Sequence, residues 1–227
     1  MSGAIILARL DSSRFPGKVM KKIQNMRIIE VILRRLFASG FSKDLVCVAT
    51  TDRVVDDPLV LWAKNRNVNV YRGPVDDVAR RCLHCAKNLK WDCFARVNAD
   101  SPFVPGRLVK QGVDEVACGR ADFATNLIPR SYPYGVSVEV VGTEFYEQSL
   151  HNANAEDLEH VTAHLYKSLP PKTKKYICPV SNVGGCHLAV DTPEDLKRID
   201  SVMELIRQSP VTADPLILAG YIKGERQ

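Results

Sequence analysis

Between Arg9 and Lys18 the chain sets three cations (Arg9, Arg14, Lys18), the hydroxyls of Ser12 and Ser13, and Gly17 behind Pro16. Cationic side chains and hydroxyls donate to phosphate oxygens, and a glycine lets backbone N–H groups come close to them. The segment has the chemistry of a polyphosphate cradle, and equally that of a solvated basic loop. It is neither G-x-x-x-x-G-K-[ST] nor G-x-G-x-x-G. Two carboxylates stand in comparable places further on. Asp100 follows an apolar run and precedes Ser101-Pro102, and Asp191 follows Leu188–Val190. Mg2+ takes one or two carboxylates and fills its shell with phosphate oxygens and water. A basic glycine loop and two such aspartates are the parts needed for metal-assisted transfer of a nucleotidyl group. Asp191 has a local reading as well, as an acid stabilising the helix that Thr192 opens.

Those residues need elements to hold them. Apolar runs predict strands at Ala4–Leu10, Leu45–Thr50, Val68–Tyr71 and Asp92–Asn98. Helical spacing predicts Ile28–Ala38, a helix opened by Asp57-Pro58, another from Asp76-Asp77 to Leu89, and Val104–Cys118. Strand and helix alternate, so the fold class is α/β with a mostly parallel central sheet flanked by helices. Ligands of such sheets bind beyond the carboxyl ends of the strands, where the basic loop and Asp100 fall.

The later chain is less regular. Val136–Val141 alternates like a strand with its even-numbered residues outward. Helices are expected near Thr143–His151 and Ala155–Lys167, and strands at Tyr176–Val180 and Leu188–Val190. Thr192 caps a last helix with Pro193 first and Asp195 third, striped by Leu196, Ile199, Val202, Met203 and Ile206. One domain, 1–227, is expected, with about 120–185 as a small inserted β/α arm.

Composition narrows the class. With 227 residues, 45% of them hydrophobic and 25% charged, the chain is neither disordered nor collagen-like. A net charge of +5 suits an anionic ligand, and its dispersal without interleaved aromatics argues against nucleic acid. Lys172, Lys174 and Lys175 beside Pro170-Pro171 read as a solvated loop. No apolar run reaches about 18 residues, so no membrane span is expected, and the first residues do not form a secretory signal. Seven cysteines without a disulfide spacing fit a reducing cytoplasm. Cys82-Leu83-His84-Cys85 is half a zinc motif without a second half, and Cys82 fits an apolar helix stripe. His160 and His164 lack the glutamate that the zincin pattern requires.

Read together, the segments resemble a known family. Ala8-Arg9-x-x-Ser12-Ser13-Arg14-x-Pro16-Gly17-Lys18 is similar to the N-terminal signature of cytidylyltransferases that make CMP-activated acidic sugars, above all the spore-coat polysaccharide F type. Ala49-Thr50-Thr51-Asp52, Tyr71-Arg72-Gly73-Pro74-Val75-Asp76-Asp77-Val78 and Arg96-Val97-Asn98-Ala99-Asp100-Ser101-Pro102 continue the match. Arg130-x-Tyr132-Pro133-x-Gly135-x-x-Val138-Glu139-Val140, Glu159-His160-Val161-Thr162 and Val190-Asp191-Thr192-Pro193-Glu194-Asp195-Leu196 complete it.

The resemblance implies a Rossmann-like nucleotide-diphospho-sugar transferase fold and an Mg2+-dependent transfer of CMP from CTP to an acidic sugar. Ala8, Arg9, Ser12, Ser13 and Lys18 would hold the CTP phosphates, with Arg9, Lys18 and Asp100 catalytic. Asp100 and Asp191 would bind the metal. Thr50, Asp52 and Arg72 would lie near the cytosine or ribose, and Arg130, Tyr132, Glu139 and His160 would face the acceptor. A homodimer contacting through the 120–185 arm is implied too. Ala99 replaces the usual glycine, and Tyr134, Ser137 and Leu158 depart from the family on the acceptor side. A phosphorylated non-sugar acid is thus a second acceptor class. A nucleotide-binding module without chemistry is a third reading, opposed by Lys18, Asp100 and Asp191.

Overall fold

Short runs of Ile, Val, Ala and Cys that can be buried on both faces build the centre of the molecule. The computed structural model describes residues 1–151 and 153–224. In chain order the elements are β1 (Ser2–Leu7), β2 (Lys22–Ile23), β3 (Met26–Arg27), α1 (Ile28–Phe37), β4 (Val46–Thr51), α2 (Asp57–Lys64), β5 (Asn69–Gly73), α3 (Val78–Asn88), β6 (Cys93–Asn98) and α4 (Gly106–Ala117). There follow β7 (Phe123–Thr125), β8 (Glu139–Gly142), α5 (Thr143–Ser149), α6 (Ala155–Glu159), α7 (Ala163–Lys167), β9 (Thr173–Lys175), α8 (Pro193–Ile206) and α9 (Pro215–Lys223).

Seven strands form one sheet in the order β5-β4-β1-β6-β8-β7-β9. β5, β4, β1 and β6 run parallel, β8 is antiparallel to both β6 and β7, and β9 is parallel to β7. The α/β expectation holds, and the mixed half of the sheet belongs to the 120–185 region.

Register decides which side chains face which helices. Ala4, Val46, Ala95 and Val140 share one face with α1, α4 and α8, in a core that includes Ile32, Val109 and Met203. Ile5, Cys47 and Phe94 share the other with α3, α5 and α7, through Cys82, Tyr146 and Leu165. On that second face a cross-strand row runs Cys47–Ile5–Arg96–Glu139. A row of aliphatic residues thus gives way to a cation and an anion where the parallel half meets β8.

Several expectations are corrected. Val136, Val138 and Val140 do not point outward; all are at most 1% exposed, and only Glu139–Gly142 is strand. With β6 on one side and β7 on the other, β8 is central and buried on both faces. The helix expected over 155–167 is two short helices, because Val161 takes φ 56°. A β-branched residue in that region is strained. β9 precedes the predicted Tyr176–Val180, and residues 188–190 form no strand. Leu188 and Val190 instead donate single backbone bonds to Tyr134 and Asp100. No described helix is long and apolar enough to cross a membrane.

Candidate active site

The loop after β1 is shaped by its own polar contacts. Asp56 is fully buried and accepts from the Leu10 N–H at 2.7 Å and from the Thr51 hydroxyl. Arg53 pairs with Asp11. Burial alone would raise the Asp11 carboxyl, but Arg53 and Arg9 outweigh it and hold the group below the usual range. Gly17 turns the chain at φ 69°, and its N–H donates to Leu10 at 2.7 Å. A side chain is rarely adopted there. The next residue, Lys18, is thereby turned inward and is 8% exposed.

Lys18 is where distant segments meet. Its ammonium donates to Asp100 Oδ2 at 2.9 Å and to Asp191 Oδ1 at 2.9 Å. Arg14 reaches the same Asp191 oxygen at 2.9 Å. Ser101 donates to the other oxygen of Asp100 at 3.2 Å, and His187 Nε2 stands 3.6 Å from Asp191 Oδ2. The Val190 N–H donates to the Asp100 carbonyl at 2.8 Å, which brings the two aspartates side by side. Capping of α8 is done by Thr192 and Asp195 in a reciprocal box, with Asp195 also accepting from the Asp191 N–H. The side chain of Asp191 is therefore free of that duty and spent on Lys18 and Arg14.

Arg14, Lys18, Asp100 and Asp191 line a cleft of about 440 Å³ at the carboxyl ends of β1 and β6. One wall is Ala8, Arg9, Ser12, Ser13, Arg14 and Lys18, with Asp100 and Asp191 beside it. The lining also includes Asp76, Arg81, Arg96 and Asn98, and Glu159, His160 and Val161. The strained Val161 does work here: its carbonyl accepts from Tyr146 at 2.6 Å, leaving His160 on the cleft and Thr162 on Glu139.

Glu139 is not in the cleft lining. It is 2% exposed, pairs with Arg96, and accepts from the Thr162 hydroxyl and from Tyr166 at 2.8 Å. Burial pushes its carboxyl up, but Arg96 and the two hydroxyls overcome this and leave it below the usual range. Arg96 moves the other way: burial disfavours its charge, yet Glu139 holds the guanidinium above its ordinary value. The pair is charged at neutral pH.

The other sequence-derived residues fall outside. Thr50 is fully buried with an unpartnered hydroxyl, and Asp52 is exposed. Arg72 donates to Asp57 and to the carbonyls of Thr51 and Arg53, bracing the β4 loop. Arg130 lines a separate groove with Ile177 and Val180 and lies over Tyr134, 5.4 Å from its ring centre. Tyr134 stacks on His187 at 4.6 Å. Tyr132 packs on the core. Sequence reasoning named Arg96 and Asn98 only inside a motif and missed Arg81. Arg81 carried a signal, since Val78, Arg81, Cys82 and Cys85 share one helical stripe.

Asp100 and Asp191 fit Mg2+ by their chemistry. Their oxygens already converge on one cation, and two carboxylates with room for phosphate and water are what Mg2+ takes. Among the described residues no cluster of three or more His, Cys, Asp or Glu offers an all-protein cage. Cys82 and Cys85 are fully buried. Burial raises the Cys82 thiol to about 12, and Cys47 and burial raise Cys85 further, so neither is a thiolate ligand. His164 is hydrogen-bonded to Ser149 at 2.8 Å, apart from His160.

The profile described as Cytidylyltransferase matches residues 3–177. The spore coat polysaccharide biosynthesis protein SpsF of Bacillus subtilis is 26% identical over 221 residues, covering 94% of this chain and 91% of that protein. The 3-deoxy-manno-octulosonate cytidylyltransferase of Aeromonas salmonicida is 28% identical over 131 residues, covering 55% of this chain and 49% of that one. The solved structure of a cytidylyltransferase from Leptospira borgpetersenii superposes with a TM-score of 0.88 at 27% identity, covering 98% of this chain and 94% of that one.

Proposed function

The chain belongs to the cytidylyltransferase family and is a CTP-dependent nucleotidyltransferase, and from that premise we propose that it transfers CMP to an acidic sugar with Mg2+ and releases pyrophosphate. One observation carries the reading: Lys18 joins Asp100 and Asp191 at the mouth of a loop bearing Arg9, Ser12, Ser13 and Arg14. That is a cation-rich wall for a triphosphate with two carboxylates ready beside it.

In the reaction an acceptor oxygen attacks the α-phosphorus of CTP. A phosphorus–oxygen bond forms to the acceptor, the bond to the β-phosphate oxygen breaks, and pyrophosphate leaves. Arg9, Arg14 and Lys18 neutralise charge that grows on the phosphates, and Ser12 and Ser13 donate to their oxygens. Asp100 and Asp191 would hold Mg2+, which when bound supplies further neutralisation of the phosphate oxygens. The strand ends that carry these residues would hold triphosphate and acceptor for in-line attack. His160, which lines the same cleft, would border the acceptor.

Incubating the protein with each nucleoside triphosphate, Mg2+ and a panel of sugar acids and small phosphorylated acids, and following pyrophosphate, tests this. Release with CTP and a sugar acid supports it. Release with a phosphorylated non-sugar acid alone replaces the acceptor class, and CTP binding without turnover on any acid rejects the enzyme reading. Exposed Ile177 and Val180 support a homodimer through the 120–185 region, and seven unpaired thiols suit a cytoplasmic protein.

A further inference from the structure

The sheet spends unusual resources on one arginine. β6 reads Cys-Phe-Ala-Arg-Val-Asn, and every residue but Arg96 and the terminal Asn98 is buried. A cation in such a strand is costly without a partner. The partner is Glu139, directly opposite on β8. Glu139 is in turn held by Thr162 and Tyr166, and the Thr125 hydroxyl lies 2.7 Å from Tyr166. Side chains from β6, β7, β8, α7 and the turn before it thus converge to fix a single guanidinium.

That guanidinium is only partly consumed. Its one hydrogen bond among the described residues runs from Nη1 to Glu139, and its buried Nε has no partner. Arg96 nevertheless lines the cleft, as Asn98 and His160 do. With Nη1 on Glu139 and Nε enclosed, Nη2 is the end left to donate to an anion in the cleft, and a guanidinium pairs well with a carboxylate. The pairing of Arg96 with Ile5 puts it on the α3–α5–α7 face of the sheet, whereas Val19, beside Lys18, packs into the α1–α4–α8 core, so the anion it meets is assigned to the other substrate. Arg81, which lines the same cleft, is committed differently, donating to the Pro74 carbonyl at 2.7 Å.

We propose that Arg96 is the specificity-determining residue for the acceptor's carboxylate, and that Glu139 is a positioning residue that orients it without touching substrate. This rests on the acidic-acceptor reading above and adds the atom that recognises the acid. It also reassigns Glu139, which the resemblance placed against the acceptor.

The test is pyrophosphate release from CTP and Mg2+ with 3-deoxy-manno-octulosonate, or whichever sugar acid of the panel turns over best, and with the methyl ester of the same acid. The wild type should prefer acid to ester. Arg96→Gln should raise the acceptor KM at least about tenfold, shift the CTP KM less than about twofold, and erase most of the acid-over-ester preference. Arg96→Lys should restore part of the preference. Because Arg96→Gln strands a buried Glu139 charge, the double variant Arg96→Gln/Glu139→Gln guards against misfolding and should lose the same preference. Glu139→Gln alone should give an intermediate acceptor KM. An intact acid-over-ester preference in the double variant, or a rise confined to the CTP KM, overturns the role of Arg96 while leaving the reaction standing. Turnover by the wild type on no acid overturns the acidic-acceptor reading and this inference with it.

Discussion

Replacing Lys18 by Met keeps the side-chain stem and removes only the ammonium. The two oxygens it bridges are then no more than 5.8 Å apart, twice the 2.9 Å from each to Nζ. At an effective dielectric of about 20, two unit charges at that separation repel by about 3 kcal/mol. Lys18 and Asp191 have side chains 10% and 9% exposed, and Asp100 28%. Water at Asp100 softens the penalty, so the expected loss is about 2–3 kcal/mol, below the usual cost of stranding a fully buried charge. For a chain of this length that lowers Tm by about 5–10 °C. Mg2+ should reverse part of the loss. If the freed pair binds it with a Kd of about 1 mM, adding about 10 mM restores about 1.4 kcal/mol, or about 3–6 °C. The wild type, whose lysine already fills the place, should gain less than half as much. Turnover should not follow stability: losing a positioned cation at the phosphates costs about 10²–10³-fold in kcat, and Mg2+ does not replace it. Thermal unfolding by circular dichroism, with and without Mg2+, reads the first part. A Tm within about 1 °C of wild type, or one indifferent to Mg2+, would refute the convergence of the three side chains.

Asp100→Asn keeps the shape and removes a charge; pyrophosphate release should fall at least about tenfold, which a coupled assay at saturating CTP measures. Glu139 has its folded pKa depressed, so its contribution is complete above about pH 4.5 and disappears as pH falls through the lowered value. Between pH 6 and pH 3 the wild-type Tm should consequently fall more steeply than that of Glu139→Gln, and parallel curves would remove Glu139 from the acid limb. Arg72→Gln should lower Tm by loosening the β4 loop while shifting the CTP KM less than about twofold; a tenfold rise would return Arg72 to the nucleotide site.

The half of the cleft that carries the basic loop was legible because parallel strands dictate where their loops emerge. Arg9 to Lys18 follows β1 and Asp100 follows β6, and neighbouring parallel strands end on the same side. No sequence rule joins Asp191 to them, but a carboxylate just ahead of a Thr192–Asp195 cap has its helix duty already taken, which favours the long-range role that the structure displays. The rest of the cleft was obscure for the opposite reason. Its strands are antiparallel, short and buried on both faces, so alternation no longer reports the inside. α9, Pro-Leu-Ile-Leu-Ala-Gly-Tyr-Ile-Lys, was missed because its nearly unbroken apolar run has no helical stripe to detect. Arg96 was hidden by the strand around it: in a one-dimensional reading a lone cation among apolar residues looks like an edge. Only the β6–β8 register, which sets Glu139 opposite, shows that the cation has a partner inside the sheet. The specificity of this cleft thus depends on a cross-strand pair, whereas its chemistry depends on loops.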